Sequence, residues 1–286
     1  MLRITSAVGA AVLAWAAQPV PPPAASFQPA AIRDETFVSA ALARSMKYRV
    51  LLPADYSSST VRYHTLYLLH GLTGNDRDWS TKTELARLAQ GLPFVVVMPD
   101  GENSWYTNAA NGGARFEDYI AADLVTEVET KYRVIRSRYG RQIAGLSMGG
   151  YGAIKLALKH PDVYAAAGSF SGAFPVAADV AYANQFPDDR AEILRIFGPA
   201  GSPTRVDNDV YGLAEGATAS RVPPLYIDCG TGDSLLAANR RLVEILQRRG
   251  FRYEYHETPG THAWDYWNRR LAVFLRWAGD HAQRMP

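Results

Sequence analysis

The chain has very little cysteine. Cys229 is the only one among 286 residues, so no disulfide can form within the chain and no pair of thiolates can hold zinc. The zinc-protease pattern H-E-x-x-H and the dinucleotide-binding pattern G-x-G-x-x-G are also missing. Residues 207–212, DNDVYG, begin like a calcium loop, but Tyr211 and Thr218 occupy positions that need a carboxylate or amide oxygen. The sequence therefore predicts neither a bound metal nor a cofactor.

An excess of one charge is lacking as well. The chain has 30 Lys and Arg residues against 28 Asp and Glu residues, a formal net charge of +2. Its densest basic segment is residues 131–141, KYRVIRSRYGR, where tyrosine and valine separate the cations. Such a segment is typical of a solvated helix end and loop, and an anionic partner is the alternative. Nothing in this distribution predicts a nucleic acid as partner.

Apolar runs long enough to span a bilayer are also missing. Residues 1–16 contain one early arginine, a short apolar run and the A-x-A sequence Ala14-Trp15-Ala16, a pattern typical of a secretory signal peptide. The Pro- and Ala-rich residues 17–33 are predicted to be a leader, and an uncleaved anchor or a disordered tail is the alternative. We expect a secreted or periplasmic protein whose mature chain makes no stable insertion into a membrane.

Buried strands alternate with helices along the rest of the chain. HTLYLLHG and FVVVMPDG are continuous apolar runs that end in turn residues, as in strands buried on both faces. ARFEDYIAADLVTEVETKY has apolar residues at helical spacing. This alternation predicts an α/β fold, with a mostly parallel central sheet and helices on both faces. We expect one domain over residues 34–282, with an insertion at about 175–222 near the carboxyl edge of the sheet.

A glycine-rich turn supplies a candidate nucleophile. Gly145-Leu146-Ser147-Met148-Gly149 fits the pattern G-x-S-x-G, with a predicted strand before it and a predicted helix after it. A serine on such a tight turn has strained backbone angles, and side chains two residues to either side would collide. The helix that begins behind Ser147 directs free N–H groups at developing negative charge. The alternative is a packing corner without catalysis.

The general base is expected later in the chain. His262, in GTHAWDYW, lies in the loop between the last strand and the last helix, at the carboxyl edge of the sheet. An imidazole there can reach Ser147 and take its proton. The other histidines have structural explanations, as helix caps, loop braces, strand residues or tail residues: His64, His70, His160, His256 and His281.

A carboxylate must hold the imidazole in the correct tautomer. Asp233 follows the flexible Gly230-Thr231-Gly232 and can project from its loop, whereas Asp228 is predicted to lie within the strand and to be structural. The order serine, aspartate, histidine is that of the α/β-hydrolase fold. We predict Asp233 as the orienting carboxylate and keep Asp228 as the alternative.

An oxyanion hole needs two backbone N–H donors. One is predicted at Met148, the residue after the nucleophile. The other is predicted at Leu72, in the loop LLHGLTGND, where Gly71 allows close backbone approach. His70, beside that glycine, is expected to brace the loop.

Six ordered motifs together resemble the esterase D-like branch of the α/β-hydrolases. They are HGLTGNDRDW, GENSWYTN, RFEDYI, GLSMGGYGA, DCGTGD and GTHAWDYW. That branch includes S-formylglutathione hydrolases, feruloyl and acetyl esterases, tributyrin esterases and antigen 85 mycolyltransferases. The resemblance implies Ser147, Asp233 and His262 as the triad, with Leu72 and Met148 as oxyanion donors. It also implies structural or substrate-wall roles for a further set of residues: Trp105, Glu117, Asp118, Trp264 and Trp267.

Together these features predict a secreted serine carboxylesterase. It would act through an acyl-enzyme on a small-molecule or carbohydrate-linked ester, with Trp105 and Trp264 contacting substrate. The first alternative is an acyltransferase of the mycolyl type, which would move an acyl group to a sugar hydroxyl and have a long apolar trough. The second is a binding protein that has lost catalysis. The sequence predicts no oligomeric state.

Overall fold

The computed structural model describes residues 31–284. The predicted signal peptide, residues 1–16, and the leader up to residue 30 lie outside the described residues. Residues 31–33 already belong to the first strand, so the folded part begins slightly before the predicted boundary at residue 34. Residues 31–33 are part of the strand because the first strand pairs with the second along its full length.

Eight strands in the described residues form a single sheet in the order β1-β2-β4-β3-β5-β6-β7-β8. The first two strands are antiparallel to their neighbours, and all later pairings are parallel. The predicted mostly parallel sheet is confirmed. The strands are β1 Ala31–Ser39, β2 Arg44–Leu52, β3 His64–Leu69, β4 Phe94–Pro99, β5 Arg141–Leu146, β6 Ala166–Phe170, β7 Leu225–Gly230 and β8 Tyr253–Thr258.

Helices cover both faces of the sheet, as predicted. They are α1 Asp78–Lys82, α2 Leu85–Leu88, α3 Phe116–Asp118, α4 Leu124–Lys131, α5 Met148–Lys159, α6 Pro175–Ala178, α7 Arg190–Phe197, α8 Pro203–Val206, α9 Val210–Gly216, α10 Leu236–Arg248 and α11 Trp264–Gln283. A π-helical turn, Tyr119–Asp123, joins α3 to α4. None of the helices in residues 31–284 has the length and apolar character needed to cross a bilayer.

The sheet separates two apolar cores. On one face Leu124 of α4, Ile154 of α5 and Leu242 of α10 are fully buried. On the other face Trp79 of α1 and Phe274 of α11 are buried. Because the parallel strands all end at one edge, the loops that follow β3, β5, β7 and β8 meet there. The predicted insertion, at about 175–222, forms α6 to α9 between β6 and β7.

Candidate active site

Ser147 lies on a strained turn between β5 and α5. Its φ of 52° and ψ of −116° lie in a region that residues with side chains rarely adopt. Three backbone hydrogen bonds hold it: its N–H donates to Phe170 O over 2.8 Å, and its carbonyl accepts from Tyr151 N at 2.9 Å and Ala173 N at 3.1 Å. The turn therefore fixes the position of the Ser147 hydroxyl.

Two glycines make this turn possible. A Cβ at Gly145 would lie 2.5 Å from the carbonyl carbon and oxygen of Gly149. A Cβ at Gly149 would lie 2.5 Å from Leu69 O and 2.6 Å from His70 O. Backbone atoms at these distances cannot move aside as a side chain can, so both positions require glycine.

A hydrogen-bonded chain joins three of the predicted site residues. His262 Nε2 lies 3.0 Å from Ser147 Oγ, and His262 Nδ1 lies 2.9 Å from Asp233 Oδ2. An ionised carboxylate only accepts, so Nδ1 carries the proton and Nε2 accepts from the serine hydroxyl. The Asp233 side chain is fully buried, whereas that of His262 is 34% exposed. This arrangement can remove the serine proton while the hydroxyl faces a cavity that solvent reaches.

The surroundings of Asp233 favour its ionised form. Burial alone would raise its pKa, but hydrogen bonds from His262 and from the Leu235 N–H outweigh burial and lower the pKa below its ordinary value. The amide of Leu235 donates to Asp233 Oδ1 over 2.9 Å. A fixed negative charge therefore lies beside the imidazole nitrogen away from Ser147, where it can stabilise an imidazolium ion.

Asp228, the alternative carboxylate, makes different contacts. It lies within β7, fully buried, and accepts hydrogen bonds from Tyr226 at 2.9 Å and Arg270 at 2.6 Å. Tyr266 donates to its second oxygen over 2.5 Å. These partners occupy both carboxylate oxygens, so Asp228 has a structural position in the sheet.

The two predicted oxyanion donors both lie close to Ser147 in the chain or in space. Met148 begins α5, and Leu72 follows Gly71 in the loop after β3. A Cβ on Gly71 would be 3.5 Å from Ser147 Cβ, so this loop passes directly beside the serine. Among residues 31–284 neither N–H group has a hydrogen-bond acceptor. Both remain available to a substrate oxygen.

His70 braces the loop that carries Leu72. Its Nδ1 donates to Gly71 O over 2.8 Å, and its Nε2 accepts from Gly101 N at 2.8 Å. Tyr106 OH donates to the His70 carbonyl over 2.9 Å. These bonds fix the loop from both sides, and they match the bracing position expected for His70.

A buried lysine holds Tyr106. Lys155 of α5 is fully buried, and its ammonium donates to Tyr106 O over 2.6 Å and to Thr107 Oγ1 over 2.9 Å. Glu117 Oε2 lies 3.1 Å from the same nitrogen. Burial lowers the pKa of Lys155 to about 8, against the opposing effect of Glu117. The helix behind Ser147 is thereby connected to the loop that carries Leu72.

A cavity of about 380 Å³ opens above Ser147. Trp264, one of the two predicted substrate residues, lies in its wall, and the Lys82 ammonium lies 5.0 Å from the centre of the Trp264 ring. Lys82 also pairs with Asp78 at 3.0 Å. The wall is therefore part apolar and part charged. Its residues are Gly71, Leu72, Thr73, Gly74, Asp78, Lys82, Leu146, Ser147, Phe186, Asp189, His262, Trp264 and Trp267.

Trp105, the other predicted substrate residue, lies behind this wall. Its side chain is 1% exposed and packs edge-on against Tyr151, Phe186 and Phe197. The ring is buried in the core, and Phe186 from the insertion, which lines the cavity, packs against it. The structure thus brings together Ser147, Asp233, His262, Leu72, Met148 and Trp264, and leaves Trp105 outside the cavity.

Comparison with known proteins identifies the family. The model of the Esterase family, described as "Putative esterase", matches residues 39–278. The chain belongs to the Esterase family. An acetyl esterase of Caldicellulosiruptor saccharolyticus is 28% identical over 86% of this chain and 97% of its own length.

Solved structures agree with this assignment. The fluorophosphonate-binding serine hydrolase FphF of Staphylococcus aureus is 29% identical, with a TM-score of 0.78 over 87% of this esterase and 98% of its own chain. An S-formylglutathione hydrolase from the same organism is 28% identical, with a TM-score of 0.74 over 86% and 98%. The predicted esterase D-like branch and α/β-hydrolase fold are confirmed. The protein is a hydrolase of carboxylic esters.

Sequence reasoning missed Ser171 in this esterase's site, whereas it named Trp267. Ser171, at φ 49°, accepts a hydrogen bond from Trp267 Nε1 at 3.2 Å, and its side chain helps to lower the pKa of Asp233. Trp267 also packs edge-on against the His262 ring, with centroids 5.0 Å apart. Trp267 thus contacts both the His262 ring and Ser171. No sequence motif identifies Ser171. Its position just after β6 places it at the same edge of the sheet as Ser147.

The cavity wall also contains residues that sequence reasoning did not select. Phe186 and Asp189 come from the insertion, and Lys82 ends α1. Asn103 contacts Asp189 at 3.2 Å and accepts a hydrogen bond from the Thr73 N–H at 2.8 Å. Among residues 31–284 no cluster of three or more His, Cys, Asp or Glu side chains is arranged to hold a metal ion.

Proposed function

We propose that this esterase is a secreted serine carboxylesterase that acts through an acyl-enzyme on Ser147. The observation that carries the proposal is the hydrogen-bonded chain from Ser147 Oγ through His262 to Asp233, at 3.0 and 2.9 Å. Nucleophile, base and orienting carboxylate are each within the reach that proton transfer requires. Export is proposed on the signal-peptide pattern of residues 1–16.

The first half of the reaction acylates the serine. Ser147 Oγ attacks the ester carbonyl carbon as its proton passes to His262 Nε2. The carbonyl oxygen becomes an oxyanion, which accepts hydrogen bonds from the N–H groups of Leu72 and Met148. The carbon–oxygen bond to the alcohol then breaks, and His262 gives its proton to the leaving alcohol.

The second half releases the acid. Water enters as the alcohol leaves, and His262 takes one of its protons while the water oxygen attacks the acyl carbon. The bond to Ser147 breaks, the proton returns to Oγ and the carboxylic acid leaves. Asp233 remains ionised throughout and stabilises the imidazolium form of His262 in both halves.

The cavity supports a small acyl group on a polar or carbohydrate-linked alcohol. It has about 380 Å³ of space, and its wall includes the charged groups of Asp78, Lys82 and Asp189 beside Trp264. The mycolyl-type acyltransferase would need a long apolar trough, and the described residues around Ser147 form a compact, partly charged cavity instead. Acetyl esterase activity in a relative aligned over 97% of its own length also favours a short acyl group.

The proposal is tested with Ser147→Ala, using Ser58→Ala as a control at an exposed serine of a surface loop. Ser147→Ala should lose p-nitrophenyl acetate hydrolysis and fluorophosphonate labelling while it remains folded, and the control should keep both. Retained turnover in Ser147→Ala would refute the nucleophile. Acyl transfer to trehalose faster than hydrolysis would favour the acyltransferase.

Export is tested separately, by N-terminal sequencing of protein recovered from the producing cells. A mature chain that begins at residue 17 in the exported fraction supports secretion. An intact N-terminus retained in the cytoplasm contradicts it.

A further inference from the structure

A second cavity, larger than the one above Ser147, lies at the opposite edge of the sheet. It has about 500 Å³ of space and is lined by residues at the amino ends of β6, β7 and β8 and by the last turns of α11. Ser147, Asp233 and His262 all follow the carboxyl ends of strands. Six-residue strands such as β5 and β7 separate the two edges by roughly 20 Å.

The wall of this second cavity is rich in cations. Arg138, Arg252 and Arg284 line it, and Glu254 is the single acidic residue of the lining. Glu254 already hydrogen bonds to His256 at 2.6 Å, so its charge has another partner. The basic segment 131–141 noted in the sequence contributes Arg138. Residues far apart in sequence thus bring positive charge to one concave surface.

These arginines have no carboxylate partner among residues 31–284, unlike many other arginines of the chain. Arg240 and Arg270, for example, pair with Glu257 and Asp228, each at 2.6 Å. Arg138 Nε is buried and has no hydrogen-bond acceptor in the described part of the chain. A buried donor without an acceptor is costly, so this guanidinium lacks a compensating partner within residues 31–284.

His281 offers one further contact. Its Nδ1 donates to the Trp277 carbonyl over 2.8 Å, so Nε2 of the neutral ring is an acceptor that can contact a hydroxyl group of a ligand. The ring lies 4.1 Å from the Trp277 ring, which fixes its orientation. Trp277 and Tyr139 add aromatic surface to the lining, and Tyr139 is 45% exposed. Such walls fit an anion with an organic body better than a bare inorganic ion.

We propose that this cavity binds a small organic polyanion, a molecule with two or more carboxylate or phosphate groups on a compact carbon frame. The guanidinium groups of Arg138, Arg252 and Arg284 would form charge-assisted hydrogen bonds with its oxygens. The volume lies within the usual range of small-molecule sites. Because the cavity is at the far edge of the sheet, an anion bound there would not occupy the site at Ser147.

The test is calorimetric titration of the full chain with citrate and, separately, with fructose 1,6-bisphosphate. The variant Arg252→Gln/Arg284→Gln removes two cations of the cavity. The matched control Arg136→Gln/Arg276→Gln removes two exposed cations, one from segment 131–141 and one from α11, and neither lines the cavity. We expect at least about a tenfold rise in Kd in the cavity variant and no change in the control.

Each outcome decides a different point. Tighter binding of citrate assigns carboxylates as the preferred groups, and tighter binding of the bisphosphate assigns phosphates. Binding that both double variants weaken equally reflects general surface charge and overturns the proposal, as does the absence of binding to the unaltered chain. Competition between either probe and p-nitrophenyl acetate would place the anion near Ser147 and would also overturn it.

Discussion

The Tyr106 hydroxyl donates a 2.9 Å hydrogen bond to the carbonyl oxygen of His70, two residues before the predicted oxyanion donor Leu72. The Tyr106 ring reaches that carbonyl because two glycines leave room for it. A Cβ at Gly101 would lie 2.2 Å from the ring, and one at Gly152 would lie 2.5 Å from it. Tyr106 thereby joins α5 to the loop after β3.

Removing this hydroxyl should slow catalysis without unfolding the protein. In Tyr106→Phe the ring still packs, but the loop that carries Leu72 loses a hydrogen bond, and misplacing an oxyanion donor costs rate. We expect kcat for p-nitrophenyl acetate to fall about tenfold with little change in KM. The control is Tyr164→Phe, because the buried Tyr164 hydroxyl has no partner among residues 31–284. Equal loss of kcat in both variants would contradict a positioning role for Tyr106.

The two candidate carboxylates should separate activity from stability. Asp233→Asn removes the charge beside His262 and favours the wrong imidazole tautomer, so kcat should fall about 10⁴-fold. Asp228→Asn disrupts the buried pair with Arg270 and should destabilise the fold by about 3 kcal/mol while kcat of the folded fraction persists. Steady-state kinetics and urea denaturation measure the two effects. The opposite pattern would assign Asp228 to the imidazole.

Gly149 should not tolerate a side chain. A Cβ there would meet the carbonyl oxygens of Leu69 and His70 at 2.5 and 2.6 Å, so Gly149→Ala must push the β3 loop away from the Ser147 turn. We expect a loss of about 1–3 kcal/mol in unfolding free energy and a fall in kcat. Gly216→Ala is the control, since no atom lies within 4 Å of its Cβ position. Normal activity and stability in Gly149→Ala would contradict this account of the turn.

Glu117 should make stability depend on acid pH. Burial would raise its pKa, but Lys155, His160 and Lys159 outweigh burial and hold the pKa well below its ordinary value of 4.5. A lowered carboxyl pKa contributes stability that is fully present above 4.5 and is lost as pH falls towards the folded-state pKa. In Glu117→Gln, which lacks this charge, the free energy of unfolding should therefore fall less steeply as the pH decreases.

The measurement is urea denaturation between about pH 6 and pH 3. At neutral pH, Glu117→Gln should also cost about 3 kcal/mol, because Lys155 is left buried beside an uncharged partner. Glu244→Gln, at an exposed residue of α10 that makes no salt bridge within residues 31–284, should keep the pH dependence of the unaltered chain. If the free energy of unfolding of Glu117→Gln depends on pH as steeply as that of the unaltered chain, other carboxylates cause the pH dependence.

The sequence predicted the residues whose positions depend on local patterns. Ser147 lies in a pentapeptide whose glycines have a steric cause, and His262 follows from its place between the last strand and the last helix. The sequence distinguishes the two aspartates, because glycines precede Asp233 whereas apolar strand residues surround Asp228. These inferences depend on the carboxyl ends of the strands meeting at one edge of the sheet. The alternation of strands and helices along the chain predicts such a parallel sheet.

Contacts between distant segments were beyond such reasoning. Lys155 lies in the middle of α5, where a lysine would ordinarily be solvated, and only Glu117 and Tyr106, brought near by the fold, explain its burial. Trp105 was expected in the cavity wall, but it is buried in the core, where Phe186 from the insertion packs against it. The insertion has no regular apolar period, so the contribution of Phe186 and Asp189 could not be inferred from the sequence.

The order of the sheet has a consequence for how activity would appear as the chain folds. The hydrogen bond between Ser147 and His262 joins residues 115 positions apart, and both depend on parallel pairings among β5, β6, β7 and β8. Contacts of such long sequence separation form slowly, because much chain entropy is lost before they become favourable. A partly folded chain that has formed only the elements up to β7 would have the Ser147 turn with its bonds to Phe170 and Ala173, and no base beside it. Recovery of ester hydrolysis during refolding should therefore report completion of the sheet through its last strand.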